Sequence, residues 1–197
     1  ATLLFAQSGL AQVDATSVDF DSQTITIALA QEPPQLNGMK ATDAVSIGIL
    51  SHVMEGLVRY DRRGNIVPGV AERWEMNDTE ATFWLRDDAR WSDGKAVTAH
   101  DFVFAWKHAL KPTTASEYAF ILYPIKNGEA INQGKMDPSE LGAHAINDRI
   151  LRVEFSRPTG YFVKLTAFVT YFPVRENFFE TRGERFGADP DDLLYNG

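Results

Sequence analysis

The side chains that could carry chemistry are few, and their spacing matches no catalytic motif. The chain has no cysteine, which excludes disulfides, thiolate zinc sites and cysteine nucleophiles. Of the four histidines, His100 and His108 lie eight residues apart, so on one helix they would be separated by about two turns and ~80°. No phosphate-binding loop, dinucleotide-binding glycine pattern, nucleophile elbow or zinc-protease motif is present. The sequence therefore predicts no metal site and no cofactor.

Two groups of aspartates could in principle do acid–base work or bind calcium. The first is Asp87, Asp88, Asp93 and Asp101, and the second is Asp189, Asp191 and Asp192. Turn and helix-capping roles explain Asp93 and Asp101 more simply. The second group lacks the remaining ligands of a calcium loop. We predict that the protein is not an enzyme, and an enzyme with an unrecognised acid–base pair is the alternative.

Aromatic residues are the more informative class. Four tryptophans fall within 33 residues, and we predict that all four lie in a core layer between a sheet and a helix: Trp74, Trp84, Trp91 and Trp106. Tyr118 differs, because it follows the polar, small-residue stretch 113–117 after a proline. A tyrosine in such a loop offers an apolar ring and a polar tip to a ligand. Tyr118 is therefore a candidate binding residue.

The elements that must position these residues alternate along the chain. Residue periodicity predicts strands at 24–30, 70–75, 80–86 and 150–155. It predicts helices at 45–57, from the cap Thr98 to Pro112, after Pro158 and at 177–186, with two short helices within 115–134. Interspersed strands and helices indicate an α/β or mixed α+β class.

One stretch resembles a known family. Residues 91–106, WSDGKAVTAHDFVFAW, are similar to the signature of solute-binding proteins of family 5, the receptors of bacterial ABC importers. Residues 54–57 (MEGL), 68–74 (PGVAERW) and 125–131 also resemble family segments. Ala115–Tyr118 (ASEY) resembles the ASPYA loop of the oligopeptide branch, with Glu117 in place of proline. The resemblance runs from about residue 25 to residue 197.

The resemblance implies a periplasmic-binding-protein-like type II fold, which is bilobal and of which this chain would hold only the opening part. It implies a first-lobe segment at 24–45, the family's extra domain at 46–180 and a return towards the first lobe at 181–197. Residues 1–23 are expected to be an N-terminal tail or the remnant of a signal peptide. The chain ends on Asn-Gly, a turn signal, which favours a fragment.

The resemblance also implies a function. The full-length protein would be a monomeric, periplasmic or membrane-associated extracytoplasmic receptor that binds short peptides between its lobes and delivers them to the membrane permease. The ligand-binding residues implied are Thr42, Asp43, Ala44, Ala115, Ser116 and Tyr118. Alternatives are a receptor for a nickel chelate, haem or a sugar, and an interaction domain that binds no ligand.

Charge and hydropathy limit the partners further. The formal net charge is −8 and there is no run of lysine or arginine, which argues against nucleic acid as a partner. No stretch approaches the ~18 apolar residues of a membrane span.

Overall fold

The computed structural model describes residues 18–22, 24–26, 28–29 and 31–197, and the chain divides into two units between Glu32 and Pro33. In the first unit, β1 (Val18–Asp19) pairs antiparallel with β2 (Thr24–Ile25). Oδ1 of Asp19 accepts the backbone N–H groups of Asp21 and Ser22, which shapes the turn between the two strands.

The strand predicted for residues 24–30 is confirmed only at Thr24 and Ile25. Thr26, Ala28 and Leu29 lie outside any strand, and residues 27 and 30 lie outside the described residues. The partner of β2 is the nearby β1, and closing so short a turn costs little chain entropy. The tail or signal-peptide remnant was expected over residues 1–23. Residues 1–17 and residue 23 lie outside the described residues, and Val18–Asp19 form β1.

The second unit contains a hairpin, a four-stranded antiparallel sheet and five helices. Its strands are β3 (Val58–Tyr60), β4 (Ile66–Pro68), β5 (Ala71–Met76), β6 (Glu80–Leu85), β7 (Ala143–Asn147) and β8 (Ile150–Glu154). Its α-helices are α1 (Ala44–Val53), α2 (Ala99–Leu110), α3 (Gly128–Asn132), α4 (Phe162–Leu165) and α5 (Glu176–Arg182). β3 pairs with β4, and the larger sheet has the order β5-β6-β8-β7. The mixed α/β class is confirmed.

The strands predicted at 70–75 and 80–86 form β5 and β6. They pair as a hairpin around Asn77, whose Oδ1 accepts the backbone N–H groups of Thr79 and Glu80. Along β6 the side chains alternate, so that Phe83 and Leu85 are buried. One face of the sheet therefore belongs to the core. The hairpin β3–β4 and strand β7 were not predicted, because strands of three to five residues are too short to show a clear period.

Helix α2 begins as predicted. Thr98 is its N-cap, and Asp101 completes a capping box. Phe102 and Trp106 on its inner face are fully buried, and the indole N–H of Trp106 donates to the carbonyl of Tyr171 at 2.9 Å. Within the described ranges, no helix has the length and apolar character that crossing a membrane requires.

The tryptophan layer needs one correction. Trp91 and Trp106 are buried and Trp74 packs against the core, but Trp84 does not. Trp84 is half-buried on the opposite face of β6, where the guanidinium of Arg73 stacks 3.5 Å from its ring centroid. Strand alternation forces this outcome, because Phe83 next to Trp84 already points into the core.

Three other predicted helices are shorter than expected, among them the one predicted at 177–186, which is α5 and ends at Arg182. Helix α1 ends at Val53, so Gly56 is not its terminating residue. A Cβ on Gly56 would clash with the carbonyl oxygen of Thr166 and lie 2.9 Å from the Phe172 ring, so this glycine permits close packing instead. The helix after Pro158 is the single turn α4.

The segment 195–197 is tied to the end of α1. The side chain of Asn196 is buried, accepts the backbone N–H of Glu55 at 3.0 Å and donates to the carbonyl of Glu55 at 2.9 Å. The N–H of Gly197 donates to the carbonyl of Val53 at 3.1 Å. These bonds join two stretches that are remote in sequence.

Candidate ligand-binding site

The loop of residues 115–118 follows α2 and is held by it. Pro112–Thr114 form a 3₁₀ turn, and the buried Thr114 donates its hydroxyl to the carbonyl of His108 at 2.5 Å. Ala115 then adopts a left-handed conformation with φ of 52°. A residue other than glycine or asparagine is uncommon there, and the strain persists only where the surroundings hold it. The surrounding contacts therefore hold the backbone of the loop in this conformation.

Ser116 supplies an unused polar atom. Its Oγ is buried and has no hydrogen-bond partner among the described residues. Leaving a buried hydroxyl unpaired costs roughly 1–3 kcal/mol. Because this Oγ is closed off from the surface, a ligand would reach it only after the Ser116 side chain had moved.

Tyr118 is half-buried and forms one wall of a cleft of about 570 Å³. Its ring makes edge contacts with Phe120 and Phe168, with centroid separations of 6.0 and 5.6 Å. We call this space the aromatic cleft, after its principal lining residues Tyr60, Tyr118, Phe120, Tyr161, Lys164 and Phe168. Of the predicted site residues, Tyr118 alone lines it.

The other walls of the aromatic cleft were missed by sequence reasoning. For Phe120 the sequence does contain one signal, which is the entirely apolar run Ala119–Leu122. In the structure this run forms a single 3₁₀ turn. Such a short turn buries Ala119 and Leu122 and leaves Phe120 outside. Tyr60 and Tyr161 are brought together only by the tertiary fold, and no local pattern marks them.

Thr42, Asp43 and Ala44 lie at the start of α1 and do not line the aromatic cleft. Asp43 is the N-cap, and its Oδ1 accepts the N–H groups of Ser46 at 2.8 Å and Val45 at 3.1 Å. These hydrogen bonds, with Ser46 contributing most, lower the pKa of Asp43. Thr42 and Ala44 are exposed. Contact of these three residues with a ligand stays a prediction.

The histidine on α2 nearest the 115–118 loop is uncharged near neutral pH. Burial, followed by the positive charges of Lys111 and Lys40, lowers the pKa of His108 from 6.5 to about 4. Its ring packs against Phe179 at 4.4 Å. In the part of the chain that the structure describes, no three His, Asp or Glu side chains cluster in a way that could hold a metal ion.

The signature segment 91–106 has structural contacts. The Trp91 indole donates to Asp101 at 3.2 Å, and Asp93 forms a 2.7 Å ion pair with Arg175. The N–H of Ser92 donates to the carbonyl of Tyr195 at 2.7 Å. The signature therefore fastens α2 to the segments after it, and none of its residues lines the aromatic cleft.

Comparison with known proteins places these features in a family. The profile for bacterial extracellular solute-binding proteins, family 5 Middle, matches residues 65–197. The oligopeptide-binding protein OppA of Bacillus subtilis is 40% identical over 176 residues, which are 88% of this chain and 32% of the relative. The chain thus spans about a third of the length of the curated relatives it matches.

Solved structures agree with this comparison. The substrate-binding domain of an oligopeptide ABC transporter from Bacillus anthracis has a TM-score of 0.83 and 44% identity, with 85% of this chain and 33% of that chain covered. Listeria monocytogenes OppA bound to peptide has a TM-score of 0.82 and 39% identity, with 84% and 33% covered.

Proposed function

Because the chain belongs to family 5 of the bacterial extracellular solute-binding proteins, we propose that it is part of a receptor that binds short peptides for an ABC importer. The observation that carries the proposal is the aromatic cleft beside the 115–118 loop. The oligopeptide-binding relatives support the choice of peptides as ligands.

An extended peptide would run along the 115–118 loop and bind without covalent chemistry. Ser116 is a further contact in this proposal, and the exposed Ala115 keeps the approach to the loop open because its side chain is one methyl group. The ring of Tyr118 supplies apolar contact area. Thr42, Asp43 and Ala44 form a second contact in this proposal.

The larger assembly follows from the same proposal. Residues 24–45 belong to the first lobe, residues 46–180 form an extra domain, and residues 181–197 lead back to the first lobe. The remainder of the full-length protein closes over the peptide. The receptor is monomeric, acts in the periplasm, hands the peptide to the membrane permease and catalyses no reaction.

Isothermal titration of the full-length protein with defined tripeptides to pentapeptides tests this function. We expect saturable binding of several unrelated peptides, because backbone contacts do not depend on side-chain identity. A measurable heat of binding with a nickel chelate, haem or a sugar, together with no heat of binding for any peptide, would contradict the proposal.

A further inference from the structure

The exposed aromatic rings of the second unit converge on one place. Tyr60, Phe120 and Tyr161 are 52%, 55% and 51% exposed, and all three line the aromatic cleft. They come from β3, from the 3₁₀ turn Ala119–Leu122 and from the cap of α4. A contiguous apolar surface left in water marks a binding site in soluble proteins.

A single cation accompanies these rings. Lys164 is the one charged residue among the described residues that line the aromatic cleft. Its side chain is exposed and has no ion pair or hydrogen bond within the described part of the chain. Tyr161 and Lys164 are three residues apart, so both project from the same side of the α4 turn. A free ammonium group beside aromatic walls complements a ligand that is apolar and carries a carboxylate.

The walls are fixed before any ligand arrives. The hydroxyl of Tyr171 donates to the carbonyl of Ile121 at 2.6 Å, which holds the turn that carries Phe120. Phe162 of α4 is fully buried, with its ring centroid 4.8 Å from that of Phe155. Preformed walls reduce the ordering cost of binding.

We propose that the aromatic cleft is a side-chain selectivity pocket, which accepts an aromatic residue of the bound peptide whose neighbouring residue places a carboxylate at Lys164. The inference rests on the proposed function and adds a preference to it. Tyr118 belongs both to the 115–118 loop and to the cleft wall, so a peptide held by the loop passes the cleft opening. A second copy of the chain is a poorer occupant, because the net charge of −8 on each copy opposes association.

The test uses four matched tetrapeptide sets and the full-length protein. The four sets combine phenylalanine or alanine at one position with glutamate or glutamine at the next position. Within each set, the peptides differ in where along the sequence this pair of residues stands. Isothermal titration should show that phenylalanine strengthens binding about tenfold over alanine. Glutamate should strengthen it about threefold over glutamine, as expected for an exposed ion pair.

Two variants separate the two contributions. Lys164→Gln should abolish the glutamate preference and keep the phenylalanine preference, whereas Phe120→Ala should mainly reduce the latter. Lys135→Gln is the matched control, since Lys135 is exposed, donates its ammonium to the side chain of Gln133 and lies outside the cleft. It should leave all four affinities unchanged.

Equal affinity for all four sets would overturn the selectivity pocket and leave the proposed function standing. Absence of binding by every peptide would instead overturn the proposed function. The pocket assignment would also be overturned if a bile acid bound in a Lys164-dependent way while the peptides bound without preference. A dimer in analytical ultracentrifugation that Phe120→Ala dissociates would overturn it too, because the cleft would then be a subunit interface.

Discussion

The indole nitrogen of Trp91 lies 3.2 Å from Oδ2 of Asp101, and the same carboxylate oxygen accepts the backbone N–H of Thr98 at 2.8 Å. One buried carboxylate thus caps α2 and anchors the turn that precedes it. This arrangement explains why the signature places tryptophan and aspartate ten residues apart.

Asp101 gives the fold a defined pH dependence. Burial raises the pKa of Asp101, and hydrogen bonds from Thr98 and Trp91 oppose that rise without cancelling it. An acid whose pKa is raised in the folded state binds its proton more tightly there than in the unfolded state. Its contribution to stability is therefore fully present below the unfolded pKa, here 3.8, and is lost as pH rises through the folded pKa. Asp101→Asn removes this titration. The stability of the original protein minus that of the variant should therefore fall as pH rises.

Urea denaturation of both proteins between about pH 3 and pH 7 measures that difference. Asp78→Asn, in the exposed β5–β6 turn, controls for the loss of one negative charge. A difference that grows with increasing pH would contradict the assignment.

Tyr118→Ala should weaken peptide binding by the full-length protein about fivefold, which corresponds to ~1 kcal/mol for a moderate interface residue. The side chain is half-buried, so folding should be largely retained. Tyr118→Phe keeps the ring and removes the hydroxyl, and calorimetry on both variants separates the two groups. Collapse of the melting temperature with unchanged affinity would show that Tyr118 serves the core.

Trp106→Ala should destabilise the protein by ~3–5 kcal/mol, because a fully buried indole and its hydrogen bond to Tyr171 are lost. Trp84→Ala is the matched control. It removes the same side chain from the outer sheet face, where the contact with Arg73 contributes ~0.5–1 kcal/mol. Similar losses for the two variants in chemical denaturation would mean that either the inner face of α2 or the outer face of β6 is misassigned.

Gly56→Ala should destabilise the protein by ~1–3 kcal/mol, since the added methyl group meets the carbonyl of Thr166 and the Phe172 ring. Gly48→Ala adds the same group inside α1, where nothing lies within 4 Å. That variant should gain ~0.5–1 kcal/mol from the higher helix propensity of alanine. Thermal denaturation measures both, and a stable Gly56→Ala protein would disprove the close contact.

Local signals allowed part of this fold to be predicted. The cap Thr98 and the residue alternation at 80–86 each act within a few residues, and helix α2 and strand β6 formed where they were expected. The strand at 24–30 failed because its pairing depends on a partner that periodicity does not identify.

The candidate site was only partly predictable for a similar reason. Tyr118 was marked by its loop and by the family resemblance. The remaining walls depend on Tyr60 and Tyr161, which are about 100 positions apart and meet only after β3 and α4 have packed. That the Lys164 ammonium has no ion pair or hydrogen bond within the described residues likewise emerges only from the tertiary structure.

The contact between Glu55 and Asn196 joins residues 141 positions apart. The six strands of the second unit and four of its five α-helices lie between these two residues, so the segment 55–196 begins and ends at one place. A segment whose two ends adjoin can be carried as an insertion by a host chain, because the host needs only two neighbouring attachment points and its own path is undisturbed. Glu55 and Asn196 accordingly mark the two ends at which the segment 55–196 could be excised, transplanted or circularly permuted as one piece.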